Sequence, residues 1–87
     1  MDREQIWKQV LAEVEIQLSK PNFVTWFKNS RLVENNDEDR VIVGLSNNFA
    51  KEWVENKYHK LLSEVFYSLD SSIKKVEYAV LNLADEQ

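Results

Sequence analysis

The chain has 87 residues, a formal net charge of −4, one glycine, one proline and no cysteine. The negative charge argues against a dedicated double-stranded DNA binder, because neutralising phosphates supplies much of the affinity of such proteins. The absence of cysteine excludes disulfide bonds and thiolate chemistry. The N-terminus lacks the pattern of a secretion signal, and no apolar run approaches the length of a membrane span. The sequence therefore predicts a single globular, cytoplasmic domain without membrane contact.

Residues 4–18 are predicted to form an amphipathic helix. Its apolar residues recur at steps of three and four, which places them on one stripe. The stripe consists of Trp7, Val10, Leu11, Val14 and Leu18. At about 100° per residue, Ile16 points away from this stripe and Ile6 lies at its margin. Trp7 sits near the start of the helix, so two alternatives remain: burial in the core, or partial exposure where the stripe ends.

A second short helix is predicted to follow at once. Ser19 is a good N-cap, and Pro21 is tolerated in the first turn because the amides there have no helical partner. Phe23, Trp26 and Phe27 then share one face of the segment NFVTWFKN. We expect these aromatic residues to enter the core.

The middle of the chain is predicted to form a β-hairpin. Residues 31–34 and 40–45 have the apolar, β-branched character of strands, and the polar segment ENNDED between them is turn-prone. The acidic run at residues 34–39 lacks the spacing and the glycine of a calcium loop. A solvated turn is the expected outcome.

A long helical region is predicted from Asn47 or Asn48, as the cap, to about Leu69, with a bend or break near residues 56–59. Its apolar stripe has Trp53 and Tyr58 on its flanks. The stripe consists of Ala50, Val54, Leu61, Leu62, Val65 and Leu69. Residues 74–81, KKVEYAVL, alternate like a strand. The element order α-α-β-β-α(α)-β predicts an α+β domain of two layers, with helices on a small three-stranded sheet.

Phe49 begins the long helix and raises the question of its role. The helical projection places it roughly 150° from the centre of the apolar stripe. Phe49 is therefore either an exposed anchor for a partner, or a satellite core residue that folds back over the hairpin. The projection alone leaves both alternatives open.

Catalytic and metal-binding chemistry find no support in the sequence. His59 is the one histidine, and it has no neighbouring cysteine or carboxylate cluster of the kind that holds zinc. We expect it to be a solvated helix position. No phosphate-binding or nucleophile motif is present. The domain is therefore predicted not to be an enzyme and to hold no cofactor.

Several lysines raise a further alternative, which is contact with single-stranded nucleic acid. Lys51, Lys57 and Lys60, together with Lys74 and Lys75, would form a mild basic edge. Small sheets backed by helices bind single strands in this way. The alternative, which we favour, is that these lysines keep the helix soluble.

Two motifs resemble a known family. The pattern N-x-F-x-x-x-W-V-x-x-x-Y occurs at Asn47, Phe49, Trp53, Val54 and Tyr58, and a Phe-x-x-Trp pair precedes it at Phe23 and Trp26. In this order and spacing the chain resembles the N-terminal domain (domain I) of DnaA, the bacterial chromosomal replication initiator. The resemblance covers residues 5 to about 81. It predicts an interaction domain at residues 1–82 and the start of a polar linker at 83–87.

The resemblance implies a KH-like fold and a role as an interaction module. The expected partners are a second copy of the domain in a weak homo-oligomer, the replicative helicase, initiation regulators and, weakly at most, single-stranded DNA. Origin DNA and ATP would be bound by downstream domains of the full-length protein, which would be cytoplasmic and nucleoid-associated. The alternative is a stand-alone KH-like domain that binds single-stranded nucleic acid weakly.

The resemblance also implies roles for individual residues. Trp7 matches the self-association tryptophan of the first helix, with Ile6 beside it. Phe49 matches the exposed phenylalanine of helicase and regulator contacts, and Asn22 occupies the regulator-contact position. Single-stranded DNA, if bound, would meet Lys51, Lys57 and Lys60.

Overall fold

The computed structural model describes residues 2–81, and the predicted linker at 83–87 lies outside them. The order of elements is α-α-β-β-α-β, as the sequence predicted. The elements are α1 (Arg3–Gln17), α2 (Lys20–Phe27), β1 (Arg31–Val33), β2 (Arg40–Leu45), α3 (Asn48–Leu69) and β3 (Lys75–Val80). The α+β class is therefore confirmed.

Side-chain caps fix where the helices begin. Asp2 and Asn47 accept hydrogen bonds from backbone amides of the first turns of α1 and α3, at 2.7 Å in each case. Ser19 accepts a longer one from the amide of Asn22, at 3.4 Å, and Pro21 follows in the first turn of α2. These bonds satisfy amides that have no helical partner.

A bend or break was expected near residues 56–59, and the break is absent because α3 runs through them without interruption. It is a single helix of 22 residues. The apolar stripe continues through this region, since Tyr58 packs against the core beside Val54 and Leu62. Burial on both sides of the expected bend keeps the helix continuous.

The three strands form one mixed sheet in the order β1-β2-β3. β1 pairs antiparallel with β2, and β3 pairs parallel with β2, so α3 is the crossover between the parallel strands. Val41, Val43 and Leu45 of β2 have no exposed surface and face the helices. The helices therefore cover one face of the sheet.

On the other face of the sheet, close packing explains why residue 44 is a glycine. A Cβ on Gly44 would lie 3.0 Å from Cγ of Leu81, with a terminal methyl of Leu81 closer still, and 3.1 Å from a methyl of Val33. Leu81 continues the ladder by donating its N–H to the carbonyl of Leu45 at 2.7 Å. Leu81 and Val33 thus pack over Gly44 where a side chain would stand.

Ile6 and Phe66 show most clearly how the core differs from the sequence prediction. Ile6 was placed at the margin of the α1 stripe, but it has no exposed surface. This helix packs against α2, α3 and β1, so its buried face is wider than a single stripe. Phe66 was missed, although it lies four residues after Leu62 and three before Leu69, and it is also fully buried.

Candidate functional site

Three aromatic rings form a continuous patch where α2 meets the start of α3. Trp26 stacks on Trp53 with ring centroids 5.1 Å apart, and it contacts Phe49 at 5.7 Å. Phe49 and Trp53 contact each other at 6.3 Å. We call Trp26, Phe49 and Trp53 the aromatic surface.

Local structure explains how the three rings meet. Phe49 and Trp53 are four residues apart, so they lie one above the other on α3. The Asn47 cap sets the start of that helix and hence the direction of Phe49. Trp26 stands in the last turn of α2, packs against the core and forms the base on which Trp53 rests.

The aromatic surface is open to solvent. Phe49 is 65% exposed and Trp53 is 38% exposed. Of the two alternatives left open for Phe49, exposure is therefore the correct one, and its ring neighbours are Trp26 and Trp53. Trp53, on the flank of the apolar stripe, reaches the core through its stack on Trp26.

Asn22 lies on the same side of α2 as Trp26. It is exposed in the first turn of the helix, four residues before Trp26, and residues at this spacing share one side of a helix. Phe49 contacts Trp26 from α3. The two residues predicted to bind partners, Asn22 and Phe49, are thus both neighbours of Trp26, Asn22 by helix spacing and Phe49 by ring contact.

The predicted lysine edge is not a single edge. Lys51 lies 3.4 Å from the carboxylate of Glu55, and the ammonium of Lys57 lies 5.5 Å from the ring centroid of Trp53. Nine residues separate Lys51 from Lys60, which places them roughly half a turn apart on opposite sides of α3. Among the predicted lysines, Lys57 thus contacts the aromatic surface.

Trp7 and Ile6 are core residues in this structure. Trp7 is 7% exposed, and its ring stacks on Phe66 with centroids 6.0 Å apart. The alternative of partial exposure at the helix end is therefore wrong. Their role in self-association stays a prediction. The two side chains expose very little surface that a second copy of the domain could contact.

His59 is exposed but has partners that the sequence did not indicate. Its Nδ1 lies 2.8 Å from the hydroxyl of Tyr78, and its Nε2 lies 3.4 Å from the hydroxyl of Ser63. Burial raises the pKa of Tyr78 above its usual value, and the nearby carboxylate of Glu55 adds to that shift. The contact ties α3 to β3.

Residues 2–81 contain no group of three or more histidine, cysteine, aspartate or glutamate side chains placed to hold a metal ion. Within the same range, no helix is both long and apolar enough to cross a bilayer.

The fold and the site define a class: a small α+β domain that presents a preassembled aromatic surface at the junction of two helices. The sequence matches the family model described as DnaA N-terminal domain over residues 4–68. The match spans most of the chain, and the chain belongs to that family. It is accordingly a domain of a replication initiator, as the two sequence motifs had suggested.

Proposed function

We propose that this domain is a protein-docking module of the bacterial replication initiator. Its aromatic surface, bordered by Asn22, binds the replicative helicase and initiation regulators. The observation that carries the proposal is the exposure of Phe49, 65%, in a cluster whose other members already pack against one another. Exposed aromatic clusters of this kind are the usual anchors of protein interfaces.

The arrangement lowers the cost of binding. Trp26 fixes Trp53 by stacking, and both rings limit the rotamers of Phe49 before a partner arrives. Rings held in place lose little conformational entropy on association. A shallow depression of about 340 Å³ beside Phe49 and Trp53, also lined by Glu52, Asn56 and Lys57, offers room for a partner side chain.

Weak self-association through α1 is the second part of the proposal. Ile6 has no exposed surface and Trp7 has 7%, so both would act mainly by setting the position of α1. Weak contacts of this kind become strong when many copies lie side by side on origin DNA, because the effective concentration is high. ATP and origin DNA would be bound by the domains that follow.

An NMR titration of the ¹⁵N-labelled domain with the cognate replicative helicase tests the docking surface. We expect shifts and broadening around Asn22 and Phe49, including the indole N–H signals of Trp26 and Trp53. Phe49→Ala should weaken binding at least about tenfold, as for an interface anchor. Tyr67→Ala, which truncates an aromatic residue that is 54% exposed on the same helix, serves as the matched control and should bind normally.

A parallel titration with a short oligothymidine tests the nucleic-acid alternative. Lys57 over Trp53 resembles a stacking platform for bases, whereas the net charge of −4 opposes nucleic-acid binding. We expect little change with the oligonucleotide. Strong shifts at Lys57 and Lys60 with DNA, together with no response to helicase, would replace the docking proposal by a single-strand-binding function.

A further inference from the structure

A groove of about 780 Å³ runs between the first turn of α1 and the strand β1. Asp2, Glu4 and Trp7 line it on the helix side, and Leu32, Val33 and Glu34 line it on the strand side. None of these residues belongs to the aromatic surface. The groove is therefore a separate candidate for binding.

One wall of the groove is the edge of the sheet. Within residues 2–81, β1 pairs only with β2, so the side of β1 that faces away from β2 has no strand on it. Backbone N–H and C=O groups along such an edge are ready to pair with an added strand. β1 contains no proline, and its one charged residue is Arg31.

Trp7 supplies a second, independent indication. The residue is 7% exposed, and within residues 2–81 its indole Nε1 is buried without a hydrogen-bond partner. A buried donor without an acceptor is unfavourable, and such groups are rare in folded proteins. Trp7 lines the groove, so a ligand whose carbonyl oxygen reaches Nε1 as it binds would satisfy this donor.

The charges of the groove select the ligand. The guanidinium of Arg3 is already engaged, since it donates to the backbone carbonyls of Asp37, Glu38 and Arg40 at 2.8–3.1 Å. Glu4 and Glu34, in contrast, form no ion pair within residues 2–81. Arg31 also has an interaction of its own. The charged groups of the groove that can pair with a ligand are thus the carboxylates of Glu4 and Glu34.

We propose that this groove binds an extended, basic segment of another protein. The segment adds a strand to the free edge of β1, and a backbone carbonyl accepts the hydrogen bond of Trp7 Nε1. Lysine or arginine side chains on the segment meet Glu4 and Glu34. This binding site goes beyond the docking function of the aromatic surface and uses none of its residues.

The probe is an acetylated, amidated hexapeptide of alternating lysine and valine, titrated into the ¹⁵N-labelled domain. The expected result is a shift of the Trp7 indole N–H signal and of the amides of residues 31–36. The indole signals of Trp26 and Trp53 should stay in place, and they serve as internal controls. A peptide of alternating glutamate and valine should leave the three indole signals and the amides of residues 31–36 unchanged.

Two charge-reversal variants sharpen the test. Glu34→Lys should weaken binding of the basic peptide about fivefold, because it replaces an attraction by a repulsion. Glu64→Lys makes the same change in net charge away from the groove and should bind like the unmodified domain. Equal affinities of the two variants, a shift confined to Trp26 and Trp53, or no shift at all would overturn the proposal.

A second copy of the chain is the competing occupant. Dilution of the labelled domain without peptide separates the two cases. Concentration-dependent shifts of the Trp7 indole and residues 31–36, together with a dimer in analytical ultracentrifugation, would assign the groove to self-association and overturn the peptide proposal. A monomer with constant shifts supports it.

Discussion

The indole rings of Trp26 and Trp53 lie face to face across the junction of α2 and α3, with centroids 5.1 Å apart and planes 13° from parallel. Trp26 packs against the core, whereas Trp53 is 38% exposed. The stack therefore links the interior of the domain to the exposed Phe49, and it makes the aromatic surface a fixed feature of the fold.

Trp53→Ala should loosen this surface without unfolding the domain. Loss of the stack and of part of the buried area should lower the free energy of unfolding by about 1–2 kcal/mol. The near-ultraviolet circular dichroism band of the paired indoles should weaken in parallel. Tyr67→Ala is the control, because Tyr67 is exposed on the same helix. A Trp53→Ala domain with full stability and an unchanged spectrum would show that the stack does not form in solution.

Trp7→Ala should destabilise the fold strongly. Trp7 is only 7% exposed, and its ring stacks on Phe66. Truncating a large buried aromatic residue costs about 3–5 kcal/mol. Urea denaturation measures the loss, and Ile16→Ala, at a position 78% exposed on the same helix, should cost very little.

This outcome bears on experiments that use Trp7 to probe self-association. Weaker association of Trp7→Ala is informative only if the variant is still folded under the conditions used. A stable, folded Trp7→Ala domain that fails to associate would contradict the buried position and restore Trp7 as a surface contact.

Gly44→Ala should destabilise the domain by about 1–3 kcal/mol, because overpacking forces neighbours to move. The added methyl group would collide with Leu81 and crowd Val33. Thermal unfolding measures the effect. The double variant Gly44→Ala with Leu81→Ala should be less destabilised than the sum of the two single variants, since the second change removes the obstacle. Strict additivity would contradict the proposed contact.

The stability of the domain should fall at high pH in a way that depends on Tyr78. Burial raises the pKa of Tyr78 in the folded state above that of the unfolded chain, so the folded state keeps its proton to higher pH. The corresponding stabilisation is fully present below about pH 10, the ordinary tyrosine pKa, and is lost as the pH rises beyond it.

Urea denaturation between about pH 9 and pH 11 measures this dependence. Tyr78→Phe should show a flatter decline than the unmodified domain. Tyr67→Phe removes an exposed hydroxyl and should decline like the unmodified domain. Identical pH profiles for Tyr78→Phe and the unmodified domain would show that Tyr78 does not titrate differently in the folded state.

Local sequence chemistry determined most of the fold. The caps at Ser19 and Asn47, the polar turn between β1 and β2 and the periodicity of the apolar residues predicted every element and its order, because these signals act within a few residues. They also placed Phe49 away from the apolar stripe of its helix, but they did not decide between exposure and a satellite position in the core. The continuity of α3 was not predictable in this way, since it depends on the packing of Tyr58 against other elements.

The sequence by itself therefore determined the elements, the class of the fold and, through two motifs, the family. Only the tertiary structure decided how the side chains combine. It buried Ile6 and Trp7 because α1 packs against three other elements, and it paired Trp26 with Trp53 because the end of α2 meets the start of α3. It also brought the first turn of α1 beside the free edge of β1. Helical periodicity describes one element at a time, whereas these contacts depend on how elements far apart in the chain come together.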